Sequence, residues 1–178
     1  MPATISPPRT VVTTIIESPI GPLMAGATDD GICMLEFAGV RSEGQAEALA
    51  RLFRAEVVSG EHRFLDQLQD ELADYFAGRR REFTVPLAIR GTTFQEAVWR
   101  ELLRIPYGET RSYADVARAV GTANACRAVG AANGQNRIAI VTPCHRVVNT
   151  GGSLGGYGGG LDRKQFLLDL ERRGEAGR

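Results

Sequence analysis

The chain has few of the residues from which metal sites and disulfide frameworks are built. Its 178 residues include 2 His (His62 and His145) and 3 Cys (Cys33, Cys126 and Cys144), an odd cysteine count without metal-ligand spacing. Neither a metal nor another cofactor is expected, and a reducing, cytoplasmic location fits best. No apolar run approaches the ~20 residues of a membrane span, and the first residues, M-P-A-T-I-S-P-P-R, lack a signal-peptide core. A membrane partner is therefore not expected. Lysine is almost absent: 20 of the 21 basic residues are Arg, and the single Lys is Lys164.

What remains is ordinary for a globular protein, with 43% hydrophobic and 24% charged residues and enough length for one sizeable domain or two small ones. The net charge of zero hides an asymmetry. Residues 1–90 carry 9 Arg and 13 acids, residues 91–178 carry 12 basic groups and 8 acids, and residues 100–146 hold 7 Arg against 3 acids. A basic half attracts polyanions, although a modest excess also suits a solvated face.

Residues 11–17 (V-V-T-T-I-I-E) read as a strand broken by S-P-I-G-P, and residues 23–28 and 32–37 as a hairpin about D-D-G. Residues 44–55 and 64–76 carry helical patterns, the second ended by Gly78, and residues 82–89 read as a further short strand. This gives an α+β domain to residue 88. His62 falls in a loop or at the surface.

From residue 91 the pattern turns helical. Thr93-x-x-Glu96 forms a capping box before F-Q-E-A-V-W-R-E-L-L, which Pro106 stops. Ser112 caps residues 113–120, closed by Gly121, and Asn124 caps residues 125–132. Two short helices joined by a Gly-containing connector match helix-turn-helix spacing, a pattern shared with αα-hairpins that touch no DNA. The last of these helices, A-C-R-A-V-G-A-A-N, is slim apart from Arg127 and Val129. Such a surface suits close backbone approach to a narrow minor groove, and equally suits close helix packing. Residues 138–141 (I-A-I-V) read as a buried strand running into Cys144. Beyond lie a loop with seven glycines in residues 151–160 and a final helix over residues 162–173.

The chemistry concentrates in V-T-P-C-H-R-V-V-N (residues 141–149). A thiolate is a strong nucleophile, but adjacent side chains diverge, so His145 does not simply face Cys144. Glu171 lies on the apolar side of the final helix, within about 60° of Leu167 and Leu168 and about 20° of Lys164 at 100° per residue. A carboxylate there needs a partner. One reading gives it His145, which then acts on Cys144 through a bridging water; another gives it Lys164 or an arginine. Lys164 itself reads either as a compact ammonium near Cys144 or as a surface charge.

P-C-H-R-V (143–147), R-A-V-G (127–130), Asn136, S-L-G-G-Y (153–157) and R-K-x-x-L-L-x-x-E (163–171) together resemble the O6-alkylguanine-DNA alkyltransferases, also called methylated-DNA–protein-cysteine methyltransferases. The resemblance is strong over residues 91–173; the earlier part resembles the family's variable domain only in size and element order. It implies an α+β protein, with an RNase H-like domain over residues 1–88 and a mostly helical domain with a winged helix-turn-helix over residues 91–174. It also implies direct damage reversal: single-turnover transfer of the alkyl group of O6-alkylguanine to cysteine, with O4-alkylthymine a second candidate substrate. The expected partner is double-stranded DNA bound through its minor groove with the damaged base flipped out, by a monomer.

The same resemblance makes Cys144 the acceptor, His145 its water-linked base, Glu171 the orienter of His145, and Asn136 the tie of the turn. Tyr113 crowds the target phosphate and assists proton transfer to guanine. Arg127 fills the gap left by the base, on a DNA-facing helix with Ala128 and Gly130. Carbonyls of Cys144 and Val147 read the guanine amino group, Tyr157 walls the pocket, Gly158 offers an N–H to O6, and Lys164 lies nearby. Thr142, Arg137 and Gly158 stand where the family often has an aliphatic residue, proline and serine. Two other functions fit a cysteine–histidine pair on such a domain. A hydrolase would turn over through a thioester. A non-catalytic damage binder would have no use for Cys144.

Overall fold

The computed structural model describes residues 9–40 and 44–176, with the side chains of 175 and 176 left aside. Most of the N-terminal stretch read for a signal segment, residues 1–8, lies outside the described residues. Four strands, β1 (Arg9–Ile16), β2 (Leu23–Thr28), β3 (Gly31–Phe37) and β4 (Ala55–Ser59), form one sheet in the order β3-β2-β1-β4. The β1–β2 and β2–β3 pairs are antiparallel and β1–β4 is parallel. Helices α1 (Gln45–Phe53) and α2 (Arg63–Phe76) cover opposite faces, because alternate strand residues point to opposite sides. Leu49 and Phe53 of α1 pack with Val11 and Met34; Leu65, Leu68 and Leu72 of α2 pack with Leu23, Ala25 and Ala27.

Two expectations in this half need correction. Strand β4 follows α1 where the helical pattern was read through to residue 55; Arg54, with φ of 50°, ends the helix first. Residues 82–89 form no strand and make only a bridge from Leu87 to Ile32. The buried carboxylate of Glu71 takes the N–H groups of Thr84 and Val85 at 2.9 and 3.3 Å, so these groups do not join a ladder. His62 lies in the loop before α2, as expected, and has a task there: its Nδ1 accepts from Phe64 N–H at 3.2 Å and caps the helix.

The second half is built from α3 (Thr93–Leu102), β5 (Arg111–Ser112), α4 (Tyr113–Ala119), α5 (Cys126–Gly134), a 3-10 turn (Cys144–Arg146), β6 (Val147–Val148) and α6 (Leu161–Ala176). The capping box of α3 sits one residue before the expected place, between Thr92 and Gln95, while Glu96 accepts from Gly91 N–H at 3.2 Å. Ser112 caps α4 as expected and pairs with Asp115. The cap of α5 is Ala125, with no side-chain bond; Asn124 does not serve. Helices α4 and α5 are joined by residues 120–125, a longer connector than expected, and Trp99 Nε1 donates to Ala132 O at 2.8 Å to hold α5 on α3.

The run I-A-I-V is buried, as its composition requires, yet it is a turn and not a strand. Ile140 adopts φ of 69°, a costly conformation for a β-branched residue. Asn136 replaces the missing sheet neighbour: its Nδ2 donates to Thr142 O at 2.9 Å and to Ile138 O at 3.4 Å, and its Oδ1 accepts from Ile138 N–H at 3.0 Å. The two halves share a joint here. Leu35 N–H donates to Arg137 O at 2.7 Å and Ala139 N–H to Leu35 O at 2.8 Å, so the outer edge of β3 pairs with the segment leading to Cys144. Tyr107, Ile138, Ile140 and Leu167 enter the same core as β2, β3 and α2.

Candidate active site

Cys144 opens the 3-10 turn, 6% exposed, in a cluster with Val98, Val129 and Val147. It borders a cleft together with Asn136, Tyr157 and Gly158, all expected from sequence, and with Asn133 and Phe37, which were not. Burial pushes the thiol above its ordinary value, opposed by a hydrogen bond from Asn136, the charge of Lys164 and the N–H groups of Cys144 and His145. Asn133 Nδ2 donates to the carbonyl of Cys144 at 3.3 Å.

His145 is fully buried, and its Nε2 lies 2.7 Å from Glu171 Oε1. Both readings of Glu171 hold at once, because Arg146 also reaches it, through Nε to Oε2 at 2.9 Å and Nη2 to Oε1 at 3.0 Å. Tyr75 Oη donates to Oε1 at 2.7 Å and Gly108 N–H to Oε2 at 3.1 Å. Burial drives the Glu171 carboxyl upward, but the hydrogen bond of His145 and the hydrogen bonds and charge of Arg146 outweigh it and hold the group well below the usual carboxylate range. Burial pushes the His145 imidazole below its ordinary value, only partly offset by Glu171. An ionised carboxylate against Nε2 selects the neutral tautomer protonated there, which leaves the lone pair on Nδ1. That nitrogen is buried, with no hydrogen-bond partner among the described residues. Around Glu171, Arg146 and Tyr75 are side chains that sequence reasoning missed. Arg146 stood within the motif itself; nothing local in sequence linked Tyr75 to a carboxylate 96 residues away.

Lys164 is not a surface charge, being fully buried on α6. Its ammonium donates to Val147 O at 2.6 Å, to Gly156 O at 3.1 Å and to Leu154 O. Three carbonyls match three N–H donors, a geometry available to an ammonium and not to a planar guanidinium. Burial lowers its pKa to about 8, opposed by Cys144, so it is chiefly protonated at neutral pH. Neither Lys164 nor Val147 borders the cleft; they lie behind it, clamping the glycine-rich loop to β6.

Tyr113 begins α4 and lies beside the glycine-rich loop, where a Cβ on Gly155 would come within 3.0 Å of its hydroxyl and one on Gly130 within 3.9 Å of its ring. Burial and the nearness of Cys144 raise its pKa, as they do more strongly for Tyr157. Arg127, Ala128, Ala131 and Gly134 occupy the exposed face of α5, while Val129, Ala132 and Asn133 point inward. The small residues therefore serve both readings: one face packs inside and the other leaves a smooth outer surface with Arg127 at its end. Thr142 is buried with no partner for its hydroxyl among the described residues, an environment that an aliphatic residue would also fit. Among the described residues, no group of three or more His, Cys, Asp or Glu is placed to hold a metal, and no helix is long and apolar enough to cross a membrane.

A mixed α/β domain is thus joined through a shared core to a helical domain that presents a buried cysteine at a cleft. Comparison with known proteins makes the class specific. Residues 11–89 match the ribonuclease-like domain of 6-O-methylguanine DNA methyltransferase, and residues 93–173 match its DNA-binding domain. The chain belongs to this family. A methylated-DNA–protein-cysteine methyltransferase of Mycolicibacterium paratuberculosis is 61% identical over 104 residues, which span 58% of this chain and 63% of that protein. Its counterpart in Methanosarcina acetivorans is 43% identical over 157 residues, 88% of this chain and 96% of that protein. The crystal structure of Mycobacterium tuberculosis OGT in complex with DNA is similar, with a TM-score of 0.79 and 43% identity over 93% of this chain and 94% of that one.

Proposed function

We propose that this protein repairs DNA by direct reversal, moving the alkyl group of O6-alkylguanine irreversibly onto Cys144. The observation that carries the reading is the pairing of a cleft-bordering Cys144 with a buried, neutral His145 whose Nε2 is held by Glu171 and whose Nδ1 has no partner among the described residues. The thiol proton passes through a bridging water to Nδ1. Sulfur then attacks the alkyl carbon, the C–O6 bond breaks, and guanine leaves as an anion unless protonated, a transfer assigned to Tyr113. Asn136 holds the turn that fixes the sulfur. The carbonyl of Cys144 already accepts from Asn133 and retains a lone pair for the guanine amino group, while that of Val147, expected to share this task, is taken by Lys164 behind the cleft. Tyr157 walls the base and Gly158 offers its N–H to O6.

The product is a thioether, which water does not cleave, so each molecule acts once. Helices α4 and α5 serve as a winged helix-turn-helix whose smooth face, Ala128 with Gly130 behind it, enters the minor groove while Arg127 fills the place of the flipped base. A monomer in the reducing cytoplasm satisfies this scheme, because Cys144 must stay a thiol. The test is intact and peptide mass after mixing with duplex DNA containing O6-methylguanine. A gain of one CH2 on Cys144, in amounts equal to protein and not beyond, is expected. Turnover on an acyl substrate, or an unmodified Cys144 with the lesion still present, would overturn it.

A further inference from the structure

The end of β3 crosses the domain boundary into the cleft. Phe37 is 4% exposed and packs edge-on against Tyr157, ring centroids 6.0 Å apart and planes at 72°. The Arg163 guanidinium lies over the Phe37 ring, 4.6 Å from its centroid. That guanidinium donates through Nε to Ile20 O at 2.8 Å and through Nη1 to Gly159 O at 2.9 Å. One arginine thus ties a carbonyl of the first domain to the glycine-rich loop, with Phe37 beneath it. Gly159 rests directly on this ring: a Cβ there would lie 2.3 Å from Phe37 Cε2 and 2.9 Å from Tyr157 Cε1. Phe37, Tyr157, Gly159 and Cys144 border the same cleft.

We propose that Phe37 sets the size of the alkyl group that Cys144 accepts, making it a specificity-determining residue contributed by the first domain. The inference rests on Cys144 being the alkyl acceptor. A guanine seated against Tyr157, with its alkyl carbon at Cys144 Sγ, meets backbone on the side of the glycine-rich loop, and Lys164 and Arg163 fix that loop through its carbonyls. Towards Asn133 it meets a helix anchored on α3. Asn136 and Ala139 belong to the turn that holds Cys144, so the boundary left for a larger alkyl group is the end of β3 with Val40, where the side chain packed against Tyr157 and the glycine-rich loop is the Phe37 ring. Packed interiors do not yield to added volume, so a methyl fits without disturbing the ring and a benzyl presses on it.

The test compares single-exponential rate constants of Cys144 alkylation by duplexes that differ only in O6-methyl or O6-benzyl. Rate constants of this kind do not depend on how much protein is folded. The variants are Phe37→Leu, Phe37→Trp and, as a control for core damage away from the cleft, Leu68→Ala. The benzyl-to-methyl ratio should rise at least about tenfold in Phe37→Leu, the scale on which a pocket discriminates small hydrocarbon groups, and fall in Phe37→Trp. Leu68→Ala should lower the melting temperature without moving the ratio. Ratios within about twofold of the parent in both Phe37 variants, or an equal rise in Leu68→Ala, would overturn the proposal. Parent protein that transfers neither group to Cys144 would instead remove the reading on which the inference rests, and the inference with it.

Discussion

Arg146 and Glu171 form a buried ion pair at the base of the site, joined by two hydrogen bonds of 2.9 and 3.0 Å between side chains 8% and 1% exposed. This pair decides the state of its neighbour. With Arg146 present the carboxylate is compensated, and His145 has little reason to take a proton before the reaction needs it. Arg146→Met should therefore do two things. It should cost about 3–5 kcal/mol, the usual penalty for leaving one buried partner unpaired. It should also raise the His145 pKa, because the nearby arginine charge disfavours a second cation and so lowers it. Thermal melting reads the first effect, and the pH–rate profile of alkylation, with its acid limb moved to higher pH, reads the second. An unshifted limb would separate Arg146 from the chemistry.

Glu171→Gln should slow alkylation more than it weakens DNA binding, since the carboxylate acts on the histidine and not on DNA. It should also change the acid stability. The folded-state pKa of Glu171 is depressed, so its stabilisation is complete above the ordinary carboxylate value of 4.5 and is lost as pH falls toward the folded value. Urea melts taken stepwise below pH 4.5 should show the parent losing stability faster than the variant. Parallel slopes would mean that the carboxylate is equally ionisable in the unfolded chain.

Lys164→Arg is the conservative change that this site should not tolerate. The ammonium reaches three carbonyls from a fully buried position, and a guanidinium is larger and planar. Overfilling such a site costs about 1–3 kcal/mol and should loosen the glycine-rich loop from β6. Alkylation should slow, and its pH dependence should shift as a cation near Cys144 moves. A parent-like melting temperature together with an unchanged pH–rate profile would discard the idea.

Arg127→Ala should impair repair in duplex DNA while leaving reaction with free O6-benzylguanine largely intact. The side chain is exposed on the outer face of α5, away from the residues bordering the cleft. Its task in the proposed complex is to hold the deformed duplex, a step a free base does not require. Parallel stopped-flow measurements on the two substrates check this. Equal losses on both would make Arg127 structural.

Much of this was legible in the chain, for reasons that differ by residue. The hairpin of β2 and β3 and the caps at His62 and Ser112 show two kinds of signal. Two largely apolar runs about D-D-G declared the hairpin and a short polar side chain declared Ser112, whereas histidine is an unusual cap and went unread. The carboxylate of Glu171 was legible because charge on an apolar helix face needs a partner. That it has Arg146, Tyr75 and Gly108 besides His145 was not, since those contacts are made by the meeting of two domains. The same limit hid β4, whose partner β1 lies far back in sequence, and turned I-A-I-V into a supposed strand. Hydrophobic runs report burial, and only Asn136 and the φ of Ile140 report the turn. Phe37 reads in sequence only as the end of a hairpin strand, because the glycine-rich loop that rests on it lies over a hundred residues on.

The alkylated protein should be less stable than the free one. Cys144 is 6% exposed and lies among Val98, Val129 and Val147, so the sulfur has close neighbours on the side away from the cleft. After transfer the base leaves and the alkyl group stays, in a volume packed for a thiol. Overfilling of this kind typically costs about 1–3 kcal/mol, a large share of a total stability of about 5–15 kcal/mol. The electrostatic change points the same way. A thioether neither donates nor carries charge, so the favourable effects of Asn136 and Lys164 on the thiolate vanish with it. The strain should pass along the 3-10 turn to His145 and Arg146, and through Glu171 to α6, which packs against that turn. Melting temperature should therefore drop and proteolysis quicken on alkylation, with benzyl worse than methyl, and hydrogen exchange should accelerate first in α6. A fully alkylated, DNA-free sample that melts at or above the parent temperature would show that the turn has room for the group, and that Cys144 is not packed tightly enough to signal its own consumption.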